Sequence, residues 1–183
     1  MTEAKDQGKD VEAIKALIQK FFDAINAADT EALGERFYAN ANLTIIRQEP
    51  PLSPSSSNHP AYTSLPVPEV PSLVNEGKEE LKVMIRTTIE KFIALLEEGK
   101  KRREGKPGPE LFEAPDLDST DVKIDHLFST AWSPFRVTFD GVLHHYGVMV
   151  YTFGKEGDEW KIEALTQSYR RTPGWEDTPG AML

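Results

Sequence analysis

A chain of 183 residues fits one domain, whose core can be large enough to need no disulfide or structural metal. It contains no cysteine, which excludes disulfides, thiolate zinc sites and cysteine nucleophiles and is compatible with a reducing compartment. The formal net charge of −9 opposes binding to nucleic acid or to a membrane of anionic lipid. Because no apolar run resembles a signal peptide or a membrane span, we expect a cytoplasmic protein.

Two helices are expected near the N-terminus. Apolar residues recur at steps of three and four over residues 11–25, which predicts one amphipathic helix. A short second helix should follow Asp29 or Thr30, either of which can cap its first turn, and run to about Tyr38.

The middle of the chain combines a strand, an insertion and a helix. Residues 41–47 are rich in β-branched side chains and predict a strand that breaks at Gln48. Residues 48–75 repeat proline and serine, which predicts an irregular insertion, either a lid or disordered. Helical spacing returns over residues 76–103 and predicts a long third helix.

The C-terminal part is predicted to be sheet. Asp140-Gly141 lies between two β-rich runs and predicts a two-residue hairpin, and residues 154–158 form a looser second turn. The result is a three-stranded meander, preceded by a strand near residues 122–128. Residues 172–183 are expected to form a flexible tail of the single domain.

Register assigns side chains to the two faces of this meander. Counting outward from the hairpin places Arg136 opposite His145 and Trp132 opposite Met149, and the second turn places Tyr151 opposite Ile162. A bulge at Pro134 would swap the faces on one side of it. The predicted inner face comprises Trp132, Arg136, His145, Met149, Tyr151, Phe153, Trp160 and Ile162.

The opposite, outer face is predicted to be more apolar than a solvated sheet requires. It would carry Phe135, Val137, Tyr146, Val148 and Val150. Such a face suggests a homodimer formed through the outer sheet face. Cover by the 48–75 insertion is the alternative.

His145 and Arg136 are the candidate catalytic residues. A histidine exchanges protons near neutrality, and an arginine across from it would lower its pKa and stabilise an enolate or alkoxide. Alternatively, His145 forms a hydrogen bond within the core and Arg136 pairs with a carboxylate such as Asp23. The candidate ligand-binding residues are Phe22, Phe37, Trp132, Met149 and Tyr151, which simple packing explains as well. His144 and His145 should point to opposite faces, so no metal site or other cofactor is expected.

The order of elements resembles the nuclear transport factor 2-like superfamily, which also contains the SnoaL-like, polyketide-cyclase-like proteins. Residues 129–147, with residues 159–162 and Arg170-Arg171, resemble its lumazine-binding-like branch. The residues that match that pattern are Trp132, Pro134, Asp140, Gly141, His145, Gly147 and Trp160. Met149 and Gln167 depart from it, since both stand where that branch commonly has an aspartate.

The resemblance implies an α+β fold, in which a cone-shaped, curved antiparallel sheet and three helices enclose a pocket. It also implies a pocket for a small apolar or aromatic ligand, with possible chemistries of isomerisation, dehydration or cyclisation and no cofactor. A non-catalytic homodimeric adaptor is the alternative, since fold alone does not decide function.

Overall fold

The computed structural model of the chain describes residues 2–49, 80–106 and 108–172, with the backbone alone described for residues 2–7 and 49. Most of the 48–75 insertion and of the 172–183 tail therefore lies outside the described residues. The elements are helices α1 (Thr2–Ala27), α2 (Thr30–Glu35) and α3 (Ile89–Arg103), and strands β1 (Phe37–Glu49), β2 (Glu80–Thr88), β3 (Leu111–Pro115), β4 (Asp121–Asp125), β5 (Phe128–Phe139), β6 (Val142–Glu156) and β7 (Glu159–Arg171).

The second helix is shorter than the sequence suggests. Asp29 caps it, as expected, by accepting a hydrogen bond from the backbone N–H of Ala32 at 3.0 Å. It ends at Glu35 instead of Tyr38 because the next residues join the sheet: the carbonyl of Arg36 accepts from the N–H of Ile162 at 2.9 Å. Strand β1 then continues through Gln48 to Glu49, beyond the predicted break.

The predicted long third helix is wrong in its first part. Residues 80–88 form strand β2, which pairs antiparallel with β1, and α3 begins only at Ile89. The segment contains both helical spacing and β-branched residues such as Val83, Thr87 and Thr88. Because β1 offers an open row of backbone hydrogen-bonding groups, tertiary pairing overrides the helical pattern.

The strands form one open, mixed sheet instead of the purely antiparallel sheet that was expected. Its order is β2-β1-β7-β6-β5-β3, with β4 also paired to β5. All neighbours are antiparallel except β1 and β7, which run parallel. The meander β5-β6-β7 and the strand preceding it are confirmed.

Both predicted turns of the meander are present. Asp140 (φ 48°) and Gly141 (φ 76°) take the left-handed conformations that a tight two-residue hairpin requires. The second turn is tighter than expected, since Glu156 pairs with Glu159 and leaves only Gly157 and Asp158 between the strands.

A β-bulge in β6 shifts the predicted register by one residue. Thr138 pairs with Leu143 while Val137 pairs with His145, so His144 is the extra residue. Arg136 consequently lies opposite Tyr146, not His145, and Trp132 lies opposite Val150, not Met149. Trp132 and Arg136 belong to the outer face, whereas Phe135 and Val137 belong to the inner one.

The core lies between α1 and the inner face of the sheet. Ile14, Ile18 and Phe22 of α1 are fully buried, and so are Tyr151 and Phe153 of β6. Within the described part of the chain, no helix is long and apolar enough to cross a membrane.

Candidate functional site

The inner face of the sheet changes from apolar to polar along its strands. Residues that pair side by side across neighbouring strands form rows perpendicular to the strands. At one end of the inner face these rows are hydrophobic, as in the row Ala131, Tyr151, Leu165 and Leu43. Near the Asp140-Gly141 hairpin, the row across β3, β5, β6 and β7 reads Glu113, Val137, His145 and Arg171. Charged and titratable groups therefore collect at this end, which we call the polar row.

Glu113 places a carboxyl group inside the fold. Its backbone is held by Asn26 of α1, whose side chain donates to the Glu113 carbonyl and accepts from its N–H, both at 2.8 Å. Burial raises the pKa of the Glu113 carboxyl from 4.5 to about 7. A carboxyl with this pKa exchanges protons near neutrality, where an ordinary glutamate is fully ionised.

His145 is held among aromatic rings. Its ring centroid lies 4.7 Å from that of Tyr169 and 6.1 Å from that of Phe135, and the residue is half-buried. Burial, with smaller contributions from the nearby His144 and Arg171, lowers the pKa of His145 to about 4. The imidazole is consequently neutral at physiological pH.

The sequence predicted that His144 and His145 point to opposite faces of the sheet. Instead, the two rings lie against each other. Nδ1 of His144 is 2.7 Å from Nδ1 of His145, which makes a hydrogen bond between the two rings. The bulge is the reason, because a residue inserted into one strand interrupts the alternation of faces. Among the described residues no group of three or more His, Asp or Glu is arranged to hold a metal ion.

Below the polar row, the predicted ligand-binding residues Phe22, Met149 and Tyr151 lie within the hydrophobic core. All three are buried, and the Tyr151 hydroxyl donates to the sulfur of Met149 at 3.1 Å. Burial raises the pKa of Tyr151 well above 10, and the charge of Glu113 adds to the rise. The hydroxyl is therefore a fixed neutral donor. The ring centroid of Phe22 lies 6.5 Å from that of Phe135.

Two predicted site residues lie elsewhere. Trp132 is 57% exposed on the outer face. Arg136 is exposed and lines an open cleft of about 500 Å³ together with Gln19, Asp116 and Asp118. Its charge helps to lower the pKa of Asp116, although hydrogen bonds from Ser119 contribute more. The proposed partner Asp23 instead accepts from Gln19 at 2.8 Å.

Phe37, the remaining predicted ligand-binding residue, is buried at the apolar end. It pairs with Ile162 and packs edge-on to Phe21, with 5.9 Å between ring centroids. Its position is that of a core residue, several rows away from His145.

Sequence reasoning missed Glu113, His144 and Arg171. The available signal for Glu113 was a single acidic residue inside the short run LeuPheGluAlaPro, bounded by Pro109 and Pro115. Such a run is compatible with a short strand, and the carboxyl within it would have been a candidate for burial.

Comparison with known proteins defines the fold. No family model matches the sequence, and no curated protein matches it either. Solved structures do match. A nuclear transport factor 2-like protein with a cystatin-like fold from Novosphingobium aromaticivorans has a TM-score of 0.58 and 16% identity, covering 94% of this chain and 88% of that one.

Two further structures agree with this assignment. The β subunit of a protein assigned as an aromatic-ring-hydroxylating dioxygenase from the same organism has a TM-score of 0.57 and 11% identity, covering 90% of this chain and 91% of that one. A nuclear transport factor 2-like protein from Cytophaga hutchinsonii has a TM-score of 0.53 and 15% identity, covering 88% of this chain and 97% of that one. The chain therefore has the cystatin-like, nuclear transport factor 2-like α+β fold, as its sequence predicted.

Proposed function

We propose that the polar row and the aromatic side chains below it bind a small, largely apolar or aromatic metabolite and transfer a proton on it without a cofactor. The observation that carries this proposal is Glu113, a carboxyl held inside the fold with a pKa of about 7. General acid–base catalysis is most effective when the pKa lies near the working pH. The reaction class is isomerisation, dehydration or cyclisation.

The spacing within the polar row suits a ligand that bridges two groups. Glu113 and His145 are both paired to Val137, on either side of β5, so their backbones are roughly 10 Å apart. Val137, which pairs with both, is apolar and fully buried.

The two groups would have different roles. Glu113 is the proposed general acid or base, because it populates both protonation states near pH 7. His145 is neutral there and offers a hydrogen bond to a carbonyl or hydroxyl group of the ligand. Arg171, close enough to lower the pKa of His145, adds positive potential where an oxyanion would form.

The test begins with the ligand. Native mass spectrometry of protein purified from its own host would identify a retained small molecule, whose binding and turnover are then compared in Glu113→Gln, His145→Asn and wild-type protein. We expect turnover to fall about 100-fold or more in Glu113→Gln. Glu110→Gln, an exposed change three residues away, is the matched control. Unchanged binding and turnover in both Glu113→Gln and His145→Asn would refute the proposal.

A second candidate function is a homodimeric, non-catalytic adaptor. The outer face carries Trp132 and Tyr146, 57% and 45% exposed, with half-buried Val148 and Val150 next to them. Exposed apolar surface of this kind is typical of interfaces between proteins. One structural neighbour is the β subunit of a protein assigned as an aromatic-ring-hydroxylating dioxygenase, so this fold also occurs in a protein that is one of several subunits.

A further inference from the structure

His144 is the extra residue of the β-bulge in β6, and it stands between the paired residues Leu143 and His145. Its backbone is nevertheless fixed, since its carbonyl accepts hydrogen bonds at 3.0 Å from both the N–H and the hydroxyl of Thr172. The ring is also fixed: the residue is 2% exposed, and its ring centroid lies 4.6 Å from that of Phe139. The imidazole is therefore held rigidly against His145.

The contact between the two imidazoles constrains where their protons are. Two nitrogen lone pairs repel each other at 2.7 Å, so one of the two Nδ1 atoms must carry a hydrogen. A neutral ring that donates from Nδ1 has a lone pair at Nε2, and a neutral ring that accepts at Nδ1 has a hydrogen at Nε2. The two rings are thus opposite tautomers.

We propose that His144 is a positioning residue for His145, fixing the orientation of its ring and coupling its tautomer to that of His144. This inference rests on the proposed function, because it concerns how Nε2 of His145 meets the ligand. When His145 donates from Nδ1, its Nε2 accepts a hydrogen bond or a proton. When His145 accepts at Nδ1, its Nε2 donates.

The surroundings of the pair keep both rings uncharged. Burial and the charge of Arg171 lower the pKa of His144 and of His145, so the hydrogen bond joins two neutral rings at pH 7. The charged and titratable groups around the pair are Arg171 and Tyr169 on β7 and, across Val137, Glu113 on β3.

Packing alone does not account for this geometry. The two rings meet edge to face, with centroids 5.0 Å apart and planes at 79°. Such packing is favourable for aromatic rings whichever of their edge atoms face the neighbouring ring. Only a hydrogen bond requires the two Nδ1 atoms to face each other. The tautomers of the pair therefore distinguish a positioning role from simple packing.

The first experiment is ¹⁵N NMR of the imidazole nitrogens in the ligand-free, full-length wild-type protein at pH 7. We expect one protonated and one unprotonated Nδ1, joined by a measurable nitrogen–nitrogen scalar coupling across the hydrogen bond. The exposed His126 supplies the reference spectrum of a solvated ring. Two unprotonated Nδ1 atoms without a coupling would overturn the inference while leaving the proposed ligand pocket to its own test.

The second experiment compares His144→Phe with His144→Asn, whose amide can supply a polar atom close to the position of Nδ1. We expect His145 to be a mixture of tautomers in the phenylalanine variant and a single tautomer in the asparagine variant. Turnover of the identified ligand should fall about tenfold in His144→Phe, with KM little changed, and recover in His144→Asn. A single His145 tautomer and undiminished turnover in His144→Phe would overturn the positioning role.

Discussion

Glu113 and His145 illustrate one physical effect acting on groups of opposite charge. Burial disfavours the charged form of each group. The carboxyl therefore stays protonated up to about pH 7, and the imidazole stays unprotonated down to about pH 4. Between those values both are neutral. The two groups therefore carry no charge at mildly acidic pH, and Glu113 gains one negative charge as the pH passes through neutrality.

These shifts predict opposite pH dependences of stability. The folded protein binds the Glu113 proton more tightly than the unfolded chain does, so this contribution is present below pH 4.5 and is lost as the pH rises to about 7. His145 is neutral when folded and protonated when unfolded, so its contribution is present above pH 6.5 and is lost as the pH falls to about 4. Each amounts to about 3 kcal/mol, at about 1.4 kcal/mol per pKa unit.

The measurement is urea unfolding of wild type, Glu113→Gln and His145→Asn between pH 4 and pH 8. As the pH rises from 4 to 8, the unfolding free energy of Glu113→Gln should increase by about 3 kcal/mol relative to that of wild type. The unfolding free energy of His145→Asn should decrease by a similar amount relative to wild type. Glu110→Gln should run parallel to wild type. A flat difference between Glu113→Gln and wild type would show that the Glu113 carboxyl is not buried as described.

Counting pairs from the hairpin predicted His145 on the inner face, where it lies, but gave it the partner Arg136 instead of Val137 because the bulge was not visible in the sequence. The sequence did not predict Glu113, whose burial depends on β3 pairing with β5, a contact between segments about 25 residues apart. No local pattern encodes that pairing. The carboxyl on which the proposed function depends was thus the group least visible in the sequence.

At the scale of elements, Gly147 determines how closely β6 and β7 approach. A Cβ atom at this position would collide with the carbonyl oxygen of Ser168 and lie 2.7 Å from Cα of Tyr169. Both are backbone atoms in a continuous ladder, so neither can move aside without breaking hydrogen bonds. Tyr169 also contacts the His145 ring.

We therefore expect Gly147→Ala to lower the free energy of unfolding by about 3 kcal/mol, the upper range for overpacking. Chemical denaturation measures this change, and the circular dichroism of the aromatic residues would report the accompanying shift of Tyr169. Gly108→Ala is the matched control, because nothing lies within 4 Å of a Cβ there. Equal stability of the two alanine variants would contradict the close approach of β6 and β7.

Elements with strong local signals were predicted well. The Asp140-Gly141 turn and the helix over residues 11–25 follow from side-chain chemistry and spacing, and both are confirmed. Register was not predictable to the same degree, because a single inserted residue, His144, moves Arg136 to the opposite face. The prediction of a helix over the β2 segment was wrong for another reason, because pairing with β1 makes this segment a strand.

At the scale of the whole molecule, the outer face gives a test of assembly. Trp132 pairs with Val150, and Pro134 pairs with Val148, which continues across the sheet to Ser168 and Ile46. On the edge strand, Val83 extends the same face and is 53% exposed. We propose that a second copy of the chain covers this surface.

If so, Trp132→Glu should convert a dimer into a monomer, because it places two charges in a symmetric apolar contact. Sedimentation equilibrium over a range of concentrations measures the change. Leu127→Glu is the matched control: Leu127 is 53% exposed in the turn between β4 and β5, and the charge introduced is the same. A wild-type protein that is monomeric at all concentrations would refute the dimer.

The parallel pairing of β1 with β7 also has a consequence for how the chain folds. Leu43 pairs with Leu165 and Thr44 pairs with Thr166, so this parallel junction joins segments about 120 residues apart. Contacts of such high sequence separation slow folding, because a large loop must close before they form. During synthesis, β1 and α1 emerge long before β7 exists. A chain arrested before Glu159 would carry an apolar strand with one unpaired edge, a species prone to aggregation.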